Sequence, residues 1–341
     1  MSFETASPVI VTVEELQNGI DDATLSQAFG PNSLGIILVK GLPDHFQSLR
    51  EKVLKSASIL SNLPEEQLRD LECEESVWLI GWSCGKEKLA STGKPDYNKG
   101  SFYVNCAFHN DDSLEGPSQD LVEKFPKHKA YTESNKWPEE KSELINFKSN
   151  MKELCNLIIN VAALVALNCD QYIKKIYSDY EAGFLGRIVN ESTCTKARLL
   201  HYFPSKSDIN GTNNDDWCGE HLDHSCLTGL TSALFIDESE GKSTNLTSSP
   251  DPSAGLYIKN RDNKTIKVNI PSNCLAFQSG SALEEVSKGK FKAVPHFVKG
   301  TSQRNIARNT LAVFCQPNLN EKINDTENFA QYSDRILKEN H

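Results

Sequence analysis

The stretch Trp217-Cys-Gly-Glu-His221-Leu-Asp223-His224-Ser-Cys-Leu-Thr-Gly-Leu230 sets an imidazole and a carboxylate two residues apart. On an extended strand, His221 and Asp223 would leave the backbone on the same face. A neutral His and an Asp presented together are two thirds of a donor set that holds redox-active iron with coordination positions left open. The triplet alone is not specific. With eight His and 46 acidic residues, about one His-x-acid triplet is expected by chance. Its meaning depends on whether later strands supply a third ligand and an anchor for a second reactant.

The bulk composition sets limits. A chain of 341 residues with 38% hydrophobic and 24% charged residues reads as a globular protein able to bury a large core. A net charge of −10 argues against nucleic acid or an anionic membrane as the main partner. Ten Cys are scattered without a C-x-x-C pair, which excludes a zinc ribbon and a dense disulfide framework. The opening Met1-Ser-Phe-Glu-Thr5 lacks the basic and apolar blocks of a secretory signal. A cytoplasmic protein with reduced thiols is the expectation, with the nucleus left open. Five N-x-S/T triplets, at Asn190, Asn210, Asn245, Asn263 and Asn324, would then go unused. The apolar run Leu154–Leu167 is broken by Asn156 and Asn160 and is short for a bilayer, so it reads as a core helix.

Periodicity gives the elements. Val9–Val13 and Leu34–Val39 predict strands, and His45–Leu60 predicts an amphipathic helix. Residues 76–110 are rich in Gly and aromatics and read as loops and short strands, either lining a pocket or packing on a sheet. Glu140–Leu167 keeps an apolar face at 144, 147, 151, 154, 158, 161, 162 and 165, and predicts a long helix. A second helix is expected over Asp170–Asp179. From Lys196 the pattern becomes short β-runs: Arg198–Phe203, Leu227–Ile236, Gly255–Lys259, Ile266–Ile270, Asn273–Gln278, Phe291–Phe297 and Asn309–Cys315. Such spacing indicates a sandwich or barrel. Asp208–Asp216 and Asp237–Ser253 read as polar insertions, and Asn320–His341 as a polar tail draped outside.

Few residues compete for the third ligand position. His45, His109, His128 and His341 fall in helix, loop or tail contexts. His201 and His224 lie closer, but His224 follows Asp223 and points to the other side of a strand. His296, in Ala293-Val-Pro-His296-Phe297, is a ligand or a satisfied core His. Twelve residues on, Arg308-Asn309-Thr310 puts a guanidinium and a hydroxyl on one strand face, a pair suited to a carboxylate. A buried Arg needs an anion, which is a ligand or one of the protein's own acids. Arg304 competes for the role from the preceding turn.

At this point the residues carry a resemblance. From Arg198 to Pro317 the chain resembles the Fe(II)/2-oxoglutarate-dependent oxygenases of the isopenicillin N synthase-like family. The matching features are His221-Leu-Asp223, Leu227-Thr-Gly-Leu230, Ala254-Gly-Leu-Tyr257, Gly289-Lys-Phe-Lys-Ala293 before His296, and Arg308-x-Thr310 leading into Ala312-Val-Phe-Cys-Gln-Pro317. Gly35-Ile-Ile-Leu-Val-Lys-Gly41, Leu63-Pro64-Glu-Glu66 and Asn135-Lys-Trp137-Pro138 follow the family's N-terminal order. Three departures stand out. The family's N-x-Y-P is His201-Tyr202-Phe203-Pro204 here, so either Tyr202 or Phe203 faces the cosubstrate. Ser281 stands where a Gly-Asp turn is usual. The His-to-Arg interval is two residues longer than in typical plant members.

The resemblance implies a mainly β fold with helices: a double-stranded β-helix, a jelly roll of the clavaminate synthase-like type, buttressed by helices. It implies one structural unit with an N-terminal region (1–135), buttress helices (136–194), a core (195–317) and a C-terminal tail (318–341). It further implies a dioxygenase in which His221, Asp223 and His296 hold Fe(II) and Arg308, Thr310 and Tyr202 hold 2-oxoglutarate. Such an enzyme consumes O2, releases succinate and CO2, and uses ascorbate as a reductant. The expected partner is a small-molecule substrate, entering among the 78–110 aromatics and the 237–253 insertion, and the expected state is a monomer. Two other functions stay open: a 2-oxoglutarate-independent iron oxidase of the same fold, and a non-catalytic binder of small carboxylates. Neither the substrate nor the outcome (hydroxylation, desaturation or cyclisation) is specified.

Overall fold

The strand Ile36–Lys40 (IILVK) has no face to offer to water. Ile36 and Leu38 join Leu200, Leu256, Ile258, Val268 and Val298 in one apolar cluster. Ile37 and Val39 join Val53, Leu60, Leu154 and Phe277 in another. A strand apolar on both faces belongs in the middle of three layers. The computed structural model, which describes residues 4–5, 8–88, 93–204, 218–239, 243–301 and 303–339, has those layers. Trp217, the 208–216 insertion and His341 lie outside the described residues.

The middle layer is a large sheet in the order Val9–Thr12, Ile36–Lys40, Leu275–Ser279, Leu227–Thr231, Ile306–Cys315, Lys196–Tyr202, Lys99–Asn105 and Gly81–Cys84. Leu234–Asp237 and Thr244–Leu246 extend it at one end. A smaller sheet faces it, in the order Glu4–Thr5, Thr265–Val268, Gly255–Lys259, His296–Lys299 and Cys218–His221. Helices Phe46–Ser61 and Phe147–Ile176 cover the other side of the large sheet. The β-sandwich buttressed by helices is therefore the fold that the strand spacing and the family resemblance implied.

Several boundaries differ from the sequence expectation, each for a physical reason. The long helix starts at Phe147 rather than Glu140, because Ser142 and Asn146 adopt positive φ of 51° and 65°. It then runs 30 residues to Ile176, so residues 170–176 continue it rather than open the separate helix expected over Asp170–Asp179. The Asp170 carboxylate does not interrupt it; it accepts from the backbone N–H groups of Leu185 and Gly186, both at 2.8 Å. That carboxylate thereby caps an unforeseen helix, Phe184–Glu191. The full helix is long and apolar enough to cross a membrane, but 67% of its most apolar window is buried inside the protein. Val13 leaves the first strand to open a short helix, capped reciprocally by Thr12 and Glu15. The expected strand Phe291–Phe297 shrinks to His296–Lys299. Pro295 has no N–H for a ladder, and Phe291 instead packs edge-on against Phe29 with ring centroids 6.0 Å apart. The tail is not merely draped outside, since Phe329 and Tyr332 of helix Phe329–Glu339 are fully buried.

The expected strand Leu227–Ile236 is two strands joined by a bulge. Leu230 lies opposite Ala312 and Leu234 opposite Asn309, so four steps on one strand meet three on the other. One extra residue reverses the facing of every side chain beyond it. Leu230 and Phe235 consequently both contribute to the inter-sheet cluster, while Leu227, Leu234 and Ile236 face the helices. The carbonyls turned out by the bulge are met by Arg50, whose Nε donates to Ser232 O at 2.9 Å and Nη2 to Ala233 O at 3.0 Å.

The helix side also holds His201. Its Nδ1 lies 2.8 Å from Asn309 Oδ1, and Asn309 Nδ2 donates to Leu54 O at 2.8 Å, pinning helix Phe46–Ser61 to the sheet. Burial pulls the His201 imidazole down to about 4, against the raising effect of the Asn309 bond. The unfolded chain, titrating near 6.5, therefore binds more protons than the folded one between those values. Stability is complete above about pH 6.5 and is lost as pH falls towards about 4, by about 3 kcal/mol in all. In His201→Gln this loss disappears. Denaturant unfolding across that window should give a shallower acid decline for the variant; parallel declines would contradict the assignment.

Candidate metal centre and adjoining cavity

The metal-ligand candidates come together at one end of the sandwich. His221 closes the strand Cys218–His221 and lies directly opposite His296, the first residue of its partner strand. Asp223 is not on that strand, as simple alternation required; it lies two residues past the end. Its backbone carbonyl is fixed instead by Ser281, through N–H at 2.8 Å and Oγ at 3.0 Å. Ser281 thus tethers the turn that carries the carboxylate.

Both imidazoles present Nε2 to the same oxygen: His221 Nε2 and His296 Nε2 are each 3.7 Å from Asp223 Oδ1. One donor atom from each of the three residues lies within 4.8 Å of the others, the only such His/Cys/Asp/Glu group among the described residues. The tautomers suit a cation. His221 Nδ1 is 2.8 Å from Gly219 O, and His296 Nδ1 is 3.3 Å from Val294 O. A carbonyl only accepts, so each Nδ1 carries a proton and Nε2 is the nitrogen left to ligate. Burial opposes the charge of Asp223, but the facing imidazoles and the Thr228 hydroxyl hold its carboxyl below the ordinary range. Burial opposes a charge on His221, but the Cys218 thiol and Asp223 raise its imidazole to about 9, so a metal takes the place of a proton on its Nε2. Two imidazole nitrogens and one ionised oxygen then fit a divalent transition metal and leave coordination positions for other ligands.

The sequence reading missed Gln278, a fully buried amide on the inner face of Leu275–Ser279. Its Nε2 lies 2.7 Å from His296 Nδ1, while its Oε1 has no hydrogen-bond partner. Amide oxygen and nitrogen are told apart by their bonding. Turning the amide over gives the Nδ1 proton a second acceptor and Oε1 its partner. Only a polar residue in an apolar run, Leu275-Ala-Phe-Gln278, hinted at this role.

The opposite wall is the strand Ile306–Cys315. Arg308, Thr310 and Ala312 line a cavity of about 760 Å3 that also holds His221, Asp223 and His296. Alternate residues Ala307, Leu311 and Val313 face the helices. Arg308 is buried, and its Nε and Nη1 have no hydrogen-bond partner. Its guanidinium carbon sits 5.2 Å from the centre of the Tyr202 ring, on the residue directly opposite in the neighbouring strand. Tyr202 lines the cavity, whereas Phe203 packs against His201 at 4.7 Å on the helix side. Thr310 Oγ1 is 3.4 Å from Thr231 O. Arg198 also lines the cavity, but its charge is met by Glu87 at 2.5 Å. Although burial opposes its ionisation, Arg198 and Lys99 hold Glu87 down at about 2.

Other candidates lie elsewhere. His201 is behind the sheet, and neither His224 nor Arg304 lines the cavity. Of the 78–110 aromatics, Trp82 and Phe102 pack on the helix side and none lines the cavity. From the 237–253 insertion, Asn245–Ser249 do line it, and part of that insertion is the strand Thr244–Leu246.

No family model matches the chain, and no curated protein matches it. Solved structures do. A full-length Neurospora crassa protein in complex with alpha-KG is similar at TM-score 0.70 and 20% identity, over 99% of this chain and 98% of that one. A Caulobacter crescentus protein described as a candidate 2OG-Fe(II) oxygenase is similar at TM-score 0.71 and 18% identity, covering 98% and 100%. JOX2, in complex with 2OG, Fe and JA, is similar at TM-score 0.62 and 14% identity, covering 98% and 86%. The chain shares the fold of these 2-oxoglutarate oxygenases along its whole length.

If Gln278 orients His296, Gln278→Leu should lower affinity for Co(II) by about 10–100-fold. Gln278→Glu, which keeps an acceptor, should stay within a few-fold of the unmodified protein. Equal Co(II) titration curves for the leucine variant and the unmodified protein would remove Gln278 from the site.

Proposed function

We propose that this chain is an Fe(II)- and 2-oxoglutarate-dependent dioxygenase that oxidises a small organic substrate with release of succinate and CO2. One observation carries the reading. A buried guanidinium, Arg308, has no carboxylate partner among the described residues, and it shares a cavity with a two-His, one-carboxylate cluster. An unpaired buried charge costs several kcal/mol, so the fold keeps Arg308 for an anion that arrives from outside. A 2-oxo diacid meets both features, one end facing the cluster and the other pairing with Arg308. The neighbouring structures, which bind alpha-KG or 2OG, support the same ligand.

In this reading His221, Asp223 and His296 hold the iron, which when bound supplies O2 activation coupled to oxidative decarboxylation of the 2-oxo acid. The chain's own contribution is positioning. Arg308 makes the charge-assisted pair with the far carboxylate, Thr310 adds a hydroxyl, and the Tyr202 ring holds the guanidinium in place. Leu200, Leu230, Leu256 and Val298 wall the space between the sheets and keep water from it. Gly219 O and Val294 O retain the Nδ1 protons, so both imidazoles stay in the ligating tautomer.

The substrate remains a small molecule of unassigned class. The Neurospora crassa protein has been solved with thymine and JOX2 with JA, and identities of 20% and 14% do not carry either compound over. We also place the protein in the cytoplasm as a monomer acting on neither nucleic acid nor membranes; its net charge of −10 supports that placement.

Protein supplied with Fe(II), ascorbate and carboxyl-labelled 2-oxoglutarate should release labelled CO2, and His296→Ala should abolish the release. Arg308→Gln should raise the 2-oxoglutarate concentration for half-maximal release at least about 30-fold, the equivalent of losing ~2 kcal/mol. Tight 2-oxoglutarate binding without release under any substrate mixture would instead favour a carboxylate-binding protein. Failure to bind it at all would favour an iron oxidase that does without it.

A further inference from the structure

The register of the large sheet leaves a slot. Along the bulged strand, Leu275–Ser279 pairs only as far as Thr231, and Thr244–Leu246 takes over only at Phe235. Over Ser232, Ala233 and Leu234 neither strand covers that edge, a gap of about 10 Å along the chain. All three residues line the cavity that holds the metal cluster and Arg308. At this end the lining also includes Gln47, Glu51, Thr247, Ser248, Asn269 and Ser272, every one of them exposed.

Among the described residues, the cavity therefore reaches the surface at two places. One is beside His221, whose side chain is 42% exposed. The slot is at the other end of the sandwich. Thr228, whose hydroxyl bonds Asp223, pairs with Phe314 at the metal end, and Arg308 lies further along the same strand, towards the slot. Arg308 itself lies opposite Phe235, at the edge of the slot. The charged lining here is mainly positive. Arg50 spans the bulge, Lys267 lies on the facing sheet, and the one carboxylate, Glu51, is engaged by Asn245 Nδ2.

We propose that the slot is a second mouth of the cavity, through which a small dicarboxylate reaches Arg308 and leaves again, separately from the opening beside His221. The proposal rests on the 2-oxoglutarate reading above. A diacid anchored on Arg308 lies deeper than the metal cluster, so a substrate seated at the His221 opening would block its exit that way. The slot removes the conflict, and the Arg50 and Lys267 charges draw a dianion towards it.

The test is anaerobic stopped-flow binding of 2-oxoglutarate to Fe(II)-loaded protein, followed by absorbance. Ser272→Trp and Thr247→Trp narrow the rim without touching the cluster or Arg308. Each should slow association about tenfold and slow dissociation in proportion, leaving Kd within about threefold, as a narrowed passage demands. Gln47→Glu, at an exposed helix position that leaves folding intact, should slow association about threefold at low salt and have no effect in high salt. Lys290→Trp, on the surface away from the cavity, should change nothing. Unaltered association in the rim variants, or a change confined to dissociation, overturns the second mouth while leaving the oxygenase reading standing. Absence of 2-oxoglutarate binding to the unmodified protein overturns both.

Discussion

Ten residues from Ile306 to Cys315 form a strand buried on both faces, and the molecule is arranged around that constraint. Its helix-facing positions, Ala307, Leu311 and Val313, are apolar and belong to the larger core. Its inward positions, Arg308, Thr310 and Ala312, line the cavity. A guanidinium can be held there only because the neighbouring strands contribute Tyr202 beneath it and the helices seal the opposite face. Register does the rest. A slip by one residue would send Arg308 into the helix layer and Leu311 into the cavity. Asn309, tied to His201, Leu54 and Ser58 on the helix side, opposes such a slip.

The site is built by different means at its two ends. At the metal end the backbone determines the chemistry: paired strands set His221 against His296, and backbone carbonyls select the tautomers that leave both Nε2 atoms free. At the other end an uncompensated charge determines it. Arg198, close by, is neutralised by Glu87, and Lys99 by Asp96. Buried Lys196 donates to the carbonyls of Leu79 and Ala130, whereas Arg308 has no carboxylate partner among the described residues and its Nε and Nη1 are unmatched, which marks the position kept for a ligand. The bulge at Ser232–Ala233 links fold and site as well, since it turns Phe235 inward and is stabilised by Arg50.

Much of this was legible in the sequence where periodicity and spacing agree. The long helix, the β-rich second half and the three ligand candidates could all be read from order and alternation. The resemblance named the fold, and the solved structures share it. What escaped the reading was long-range. Asp170 reads as the start of a separate helix because nothing local shows that its carboxylate takes the N–H groups of residues 185 and 186. Leu227–Ile236 reads as one strand because a bulge leaves no mark when every residue is apolar or small. Asp223 reads as a strand residue because alternation cannot reveal that Ser281 holds it in a turn. Tyr202 and Phe203 were indistinguishable in the sequence, and only the pairing of Tyr202 with Arg308 shows which of them faces the cavity.

The central claim is that one cavity holds a metal on His221, Asp223 and His296 and a diacid on Arg308. A crystal structure of the protein soaked anaerobically with Fe(II) and 2-oxoglutarate tests it most directly. The account predicts anomalous density between His221 Nε2, His296 Nε2 and the Asp223 carboxylate, with the diacid's far carboxylate paired to the Arg308 guanidinium. Metal bound elsewhere, or Arg308 turned to one of the protein's own acids with the diacid absent, would contradict it.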